Sequence, residues 1–204
     1  TLTVQNAFAL SDSPSTPDVA AVAPVATASV SLTFGTTNWS TTLMGTTPSW
    51  RTVRSREMAS GRFITDADEV SAAPVIVLGP DTAAELFPGV SPLGQSVTYN
   101  GIQLQVVGVL ASLSSSEATT NNDLAIVPYT SYAERLIGGS SRNSVNTIYV
   151  KATSAGTLSA AYQESDSLLL ALHNISASST PDFNIATQQS LLSAANKVDS
   201  TMSI

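Results

Sequence analysis

His173 is the single histidine of the chain, cysteine is absent, and the lysines are Lys151 and Lys197 alone. Those counts settle much of the possible chemistry. An ordinary zinc centre draws several ligands from His and Cys, so one imidazole without a thiol excludes it. A hydrolase serine is commonly presented on a Gly-x-Ser-x-Gly elbow, and no such pentapeptide is available to pair with His173. A Walker loop needs Gly-Lys-Ser/Thr, whereas the two lysines follow Val150 and Asn196. His173 falls at the end of a predicted helix, where a cation interacts well with the helix dipole, so its expected role is capping or packing.

Asp66, Asp68 and Glu69 could in principle hold calcium, but the glycine and glutamate offsets of an EF-hand loop are missing. The expected reading is a solvated acidic loop. Among 15 acidic side chains nothing selects a pair for glycoside hydrolysis, and a saccharide cleft would have only Trp39 and Trp50 for aromatic walls. Arg51, Arg54, Arg56 and Arg62 form a small basic group in a chain of net charge -7, too few to neutralise a nucleic-acid backbone. No catalytic, cofactor-binding or metal-binding residue is singled out.

The elements that position these side chains follow from periodicity. In a chain of 204 residues, 43% hydrophobic and 11% charged, a folded core is expected and wholesale disorder is excluded. The text predicts a short helix at Leu2–Ser11, then strands from Asp18 to Pro48 turning at Gly35–Asn38. It predicts a helix over Pro48–Met58 stopped by Gly61, then a loop carrying the acidic cluster. Val75–Leu78 reads as a strand buried on both faces. Pro80 opens a short helix through Leu86 and Phe87. Asn100-Gly101 between Val97–Tyr99 and Ile102–Leu104 is the residue pair of a type I′ hairpin.

Ala111–Asn122 reads as a surface loop, and Leu124–Val127 as a strand. Pro128 opens a helix with Tyr129, Tyr132, Ala133, Leu136 and Ile137 along one stripe. Further strands are expected at Val145–Val150 and at Phe183 and Ile185. The longest helix is expected over Thr157–Asn174, and a last one from Gln188 onward with Leu191, Leu192, Ala195 and Val198 aligned. The mixture is α+β. No apolar run reaches the length of about 20 residues that spans a bilayer. Residue 1 is threonine, and the chain reads as a piece of something longer whose final helix would continue into a membrane helix.

One ordered set of short motifs stands above this background. Gly45-Thr46-Thr47-Pro48 is followed by Gly61-Arg62-Phe63 and Asp66, then Val75-Ile76-Val77-Leu78-Gly79, Leu86-Phe87-Pro88 and Pro92-Leu93-Gly94-Gln95. Val106-Val107-Gly108-Val109-Leu110, Asp123 and Val127-Pro128 come next, and His173 precedes Asp182-Phe183-Asn184-Ile185. The succession resembles the MacB-like periplasmic core domain of MacB/FtsX-type ABC-transporter permeases. In fold terms, Gly61, Gly79, Gly94 and Gly108 sit where elements end or backbones approach, and Arg62 is placed to pair locally with Asp66 or Asp68. The stretch Leu169–Leu172 before His173 lacks the arginines expected of many members.

The resemblance implies two lobes: a porter-like lobe from residues 1–55 and 145–204, and an inserted sabre-like lobe over 56–144. It implies a non-enzymatic, extracytoplasmic domain in the cell membrane that passes ATP-driven motion of membrane helices outward, in export or efflux. ATP would bind only a separate nucleotide-binding domain. The implied partners are the membrane helices of the parent permease, a separate ABC ATPase and an extracytoplasmic protein. The fragment is expected to be monomeric and the full permease dimeric. Two other readings stay open: a binding module recruiting a lipoprotein, peptide or cell-wall enzyme, and a secreted hydrolase using unassigned acids.

Overall fold

A computed structural model describes residues 1–114, 121–138, 142–176 and 179–185. Its elements are α1 (Val4–Asp12), β1 (Val19–Phe34), β2 (Thr37–Thr46), α2 (Ser49–Val53), β3 (Met58–Gly61), α3 (Asp66–Ser71) and β4 (Val75–Leu78). There follow α4 (Pro80–Leu86), β5 (Ser96–Tyr99), β6 (Ile102–Leu110) and β7 (Leu124–Pro128). Next, α5 opens as Tyr129–Ser131 and continues as a π-helical turn over Tyr132–Leu136. β8 (Thr147–Ala152) and α6 (Leu158–Leu172) complete the described elements. The class is α+β.

The strands form one mixed sheet whose pairings close on themselves. β1 runs antiparallel to β2 from Val25↔Thr46 to Phe34↔Thr37. β2 lies parallel to β7, β7 antiparallel to β4, β4 parallel to β6, and β6 antiparallel to β5. β5 returns to β1 at Thr33↔Thr98. β3 extends the far end of β6, and β8 pairs with the first half of β1. Hydrogen-bonded pairs β2–β7 and β1–β5 thus join strands of the flanking segments to strands of the 56–144 segment.

Period-two alternation sends neighbouring residues to opposite sides. Ile76 and Leu78 of β4, with Ala125 and Val127 of β7, enter a core completed by α4 and α5. Val75, Val77, Leu124 and Ile126 enter a second core under Trp50, Phe63 and Ile64. A third, smaller core joins Ala7 and Leu10 of α1, Val22 of β1 and Leu169 of α6. This third core gathers α1 and α6, the first and last helices among the described residues, onto the first half of β1.

Local chemistry explains most boundaries. Thr3 and Asn6 make a reciprocal capping box at α1, as Thr65 and Asp68 do at α3. Asn100 and Gly101 both have positive φ, the backbone of a type I′ turn. The π turn in α5 adds a residue to its last turn, with Ile137 N donating to Tyr132 O at 2.9 Å.

Several sequence expectations are corrected. The helix expected over Pro48–Met58 is only the five-residue α2, because Ser55 adopts positive φ and Met58 pairs with Leu110 in the sheet. The acidic stretch is α3 and not a loop, because Thr65 and Asp68 cap it reciprocally. The π turn rotates Ile137 off the buried stripe to become exposed, while Leu136 stays inside. β8 is displaced to Thr147–Ala152. Phe183 and Ile185 form no strand but pack against the third core. The helix expected from Gln188 lies outside the described residues.

Candidate functional site

The polar residues that the fold draws together serve as junctions between elements. The largest junction centres on Asp123, just before β7. Its Oδ1 accepts from Trp39 Nε1 at 2.9 Å, Thr41 Oγ1 at 2.7 Å and Thr82 Oγ1 at 2.9 Å. Thr82 is fully buried and also donates to Leu124 O. One carboxylate oxygen therefore couples β2, α4 and the start of β7. Composition gave Trp39 no role here, and the Asp123 motif position carried the only signal.

A second junction answers a backbone requirement. Pro128 at the start of α5 offers no side-chain cap. Glu69 of α3 supplies one, accepting the Tyr129 and Thr130 backbone N–H groups, while Thr130 Oγ1 donates to Glu69 O at 2.7 Å. Burial raises the Glu69 carboxyl above its ordinary range, although these donors pull the other way. Three residues before it, Asp66 stands in the first turn of α3, and directly before it Asp68 pairs with Arg62 at 2.7 Å. Burial pushes Asp68 up, but Arg62 and the Thr65 donors outweigh it and leave the carboxyl below its usual value. The expected local ion pair of Arg62 is thus with Asp68.

The arginine group does not gather into one basic face. Arg51 reaches Glu57 and Arg56 O, Arg54 lies 4.5 Å over the Tyr149 ring, and Arg62 holds Asp68. Arg56 is only 4% exposed. It donates from Nη1 to Asn121 O at 3.0 Å and from Nη2 to Ala111 O, gripping both ends of the segment between β6 and β7. Its charge has no carboxylate partner among the described residues, and burial followed by Arg54 lowers its pKa. Sequence spacing could not distinguish this buried brace from its exposed neighbours.

His173 caps α6, with Asn6 and Asp182 on its two ring nitrogens. No serine hydroxyl hydrogen-bonds the imidazole among the described contacts, and no three metal-binding side chains converge among the described residues. One surface depression, about 470 Å³, is open and lined by Ser29, Ser31, Ser40, Thr42 and Asp123 among others. It presents hydroxyls on strand faces with no nucleophile–base pair. What the assembled residues do is connect elements, and the chemistry they offer is hydrogen bonding.

The sequence matches the family described as MacB-like periplasmic core domain over residues 1–168. It is similar to the macrolide export ATP-binding/permease protein MacB of Azoarcus sp. (strain BH72), 31% identical over 205 residues covering 100% of this chain and 30% of that protein. The pyoverdine export ATP-binding/permease protein PvdT of Pseudomonas fluorescens is 27% identical over 190 residues, covering 92% of this chain and 28% of that protein. The chain therefore spans about a third or less of these relatives.

Among solved structures, the periplasmic region of MacB from Actinobacillus actinomycetemcomitans aligns with TM-score 0.80 at 22% identity, covering 96% of this chain and 83% of that one. The extracellular domain of the noncanonic ABC-type transporter YknZ from Gram-positive bacteria aligns with TM-score 0.72 at 23% identity, covering 86% of each. At those identities the likeness concerns the fold. Family match, full-length relatives and fold agree with the motif order from Gly45 to Pro128, and the chain belongs to the MacB-like periplasmic core domain family.

Proposed function

We propose that this domain is the extracytoplasmic part of an ABC-transporter permease, that it carries the motion of membrane helices outward during export, and that it performs no covalent chemistry. One observation carries the reading. Helices α1 and α6, the first and last among the described residues, share one small core, and the strand that follows α1 runs for 16 residues into the closed ring. At about 3.3 Å per residue, such a strand reaches on the order of 50 Å. Displacement of the terminal layer is thereby delivered to the ring through a single covalent and hydrogen-bonded element.

On this reading residues 1–55 and 145–204 form the anchored, porter-like lobe, and 56–144 the carried, sabre-like lobe. The pairs β2–β7 and β1–β5 oblige the second to follow the first. The parent's membrane helices, a separate ATPase domain and an extracytoplasmic protein are the partners, with the permease dimeric and the isolated domain monomeric. No helix among the described residues is long and apolar enough to cross a membrane.

The experiment decouples the domain from its helices. Flexible Gly-Ser segments inserted in the full transporter at Ser15 and at Gly156 leave the paired strands intact but remove the rigid path. Transport lost while ATP hydrolysis continues is the expected result. Transport surviving both inserts would overturn the mechanical reading and favour a tethered module that recruits a partner.

A further inference from the structure

Trp50 and Arg56 meet at the second core, the guanidinium carbon lying 5.8 Å from the centre of the indole ring. Trp50 is 2% exposed and Arg56 4%. Trp50 Nε1 and Arg56 Nε are both shut off from solvent, and neither finds an acceptor among the described residues. Each of these nitrogens carries one hydrogen to donate. Buried donors are paired in the great majority of cases, so two orphans on adjacent side chains point to one shared acceptor.

The charge balance narrows what that acceptor is. Arg56 spends Nη1 and Nη2 on Asn121 O and Ala111 O, which are neutral carbonyls. Arg51 donates from Nε to Arg56 O at 3.0 Å, and the charge of Arg54 also acts on Arg56, so three cations share the neighbourhood. The adjoining carboxylate, Glu57, turns to Arg51 and is largely exposed. A water would accept the two hydrogens, but it would leave the buried charge unbalanced and bring two hydrogens of its own to place. An anion accepts both and supplies the missing charge. Phosphate or sulfate would need donors for several oxygens, and this locus offers two. A single-atom anion matches that number.

We propose that Trp50 and Arg56 form a halide site, with the ion held between the indole N–H and the guanidinium Nε–H. The ion balances the charge of Arg56 and so becomes part of the brace that this residue places on Ala111 and Asn121, at the two ends of the connection from β6 to β7. Chloride, the common halide of physiological salt, is the expected occupant. The site involves no covalent chemistry and stands independently of the transport reading.

The test titrates sodium chloride, and separately sodium bromide, against sodium gluconate at constant ionic strength into the 204-residue chain. Proton–nitrogen correlation NMR reads the two N–H groups directly. The Trp50 indole and Arg56 Nε–H resonances should shift along one saturable curve with a shared dissociation constant for each halide. Trp39, whose indole N–H is bonded to Asp123, is the internal control and should not follow that curve. Arg56→Met should abolish saturation at Trp50. Trp50→Phe should weaken binding at Arg56 by about tenfold or more, the scale of one hydrogen bond to a charged group. Should neither variant fold, the titration of the wild-type chain still decides. Resonances indifferent to both halides, or an unsaturable drift shared with Trp39, would overturn the proposal and leave a general salt effect. Saturation at Trp50 that persists in folded Arg56→Met would overturn it as well.

Discussion

Trp39 Nε1 donates to Asp123 Oδ1 at 2.9 Å across 84 positions of sequence, fastening the β1–β2 hairpin to the strand that enters beside it. The same oxygen serves Thr41 and Thr82, so removing it takes the acceptor from Trp39 and Thr41 and leaves the fully buried Thr82 hydroxyl with Leu124 O alone. Asp123→Ala is expected to lose about 2–3 kcal/mol in urea denaturation, the range for buried polar groups left unpaired. Asp123→Asn, which keeps an acceptor, should lose less. Equal stability of Asp123→Ala and wild type would show that the junction contributes nothing.

Glu69 sets a pH dependence of its own. Its carboxyl is raised by burial, so the folded state holds that proton to higher pH than the unfolded chain does, whose value is near 4.5. Folding then binds a proton, and this contribution to stability declines as pH rises from about 4.5 through the raised value. Glu69→Gln removes the titration. Melting temperatures at pH 5 and 7 should therefore drop more in wild type than in Glu69→Gln. Parallel drops would refute the assignment.

Asp68 works in the opposite sense. Burial raises its carboxyl, but the Arg62 and Thr65 contacts outweigh that effect and the net shift is downward from 3.8. Stability from this group is present above the unfolded value and disappears as pH falls through the lowered one. Arg62 is nearly half exposed, which limits the ion pair to about 1 kcal/mol or less. Asp68→Asn should cost that much at pH 7, and the two proteins should converge in acid once pH has fallen through the lowered value. A deficit that persists there would mean packing, not charge, is responsible.

Gly45 tests the close contact between β2 and α5. A methyl group on it would overlap Cβ and Cγ of Tyr132, the first residue of the π turn. Gly45→Ala is expected to destabilise by about 1–3 kcal/mol through overpacking. Gly45→Ala combined with Tyr132→Ala should recover part of that loss. An additive double variant would place the two residues out of contact.

Arg56 separates stability from local order. A buried charge without an acidic partner among the described residues contributes little net stability, so Arg56→Met is expected to unfold within about 1 kcal/mol of wild type. The two carbonyls at Ala111 and Asn121 lose their brace, however. Limited proteolysis should then cut between β6 and β7 several times faster than in wild type. Unaltered cleavage rates would show that Leu113 and Asn122, which bond each other twice, close that segment alone.

How far the sequence could be read depended on whether the deciding interactions were local. Pro80, Asn100-Gly101 and the run Val75–Leu78 announced their structure because turn geometry and burial act over a few residues. The failures had distant causes. Met58 becomes a strand because β6 lies beside it, and α5 depends on a carboxylate from α3. At the candidate junctions, the order of motifs located Asp123 and Arg62, while the burial of Arg56 depended on a segment some 60 residues away.

The partnership of β1 with β8 has a mechanical corollary. Val19 lies opposite Ala152, so the chain enters the pair and leaves it at the same end. Drawing the two termini apart loads those hydrogen bonds one after another, as a zip opens from its slider. Moving the termini in concert leaves every bond in the ladder at its resting length. The domain should therefore be compliant to splaying and stiff to translation, and in single-molecule stretching from its two ends β8 should peel from β1 at low force before the ring yields.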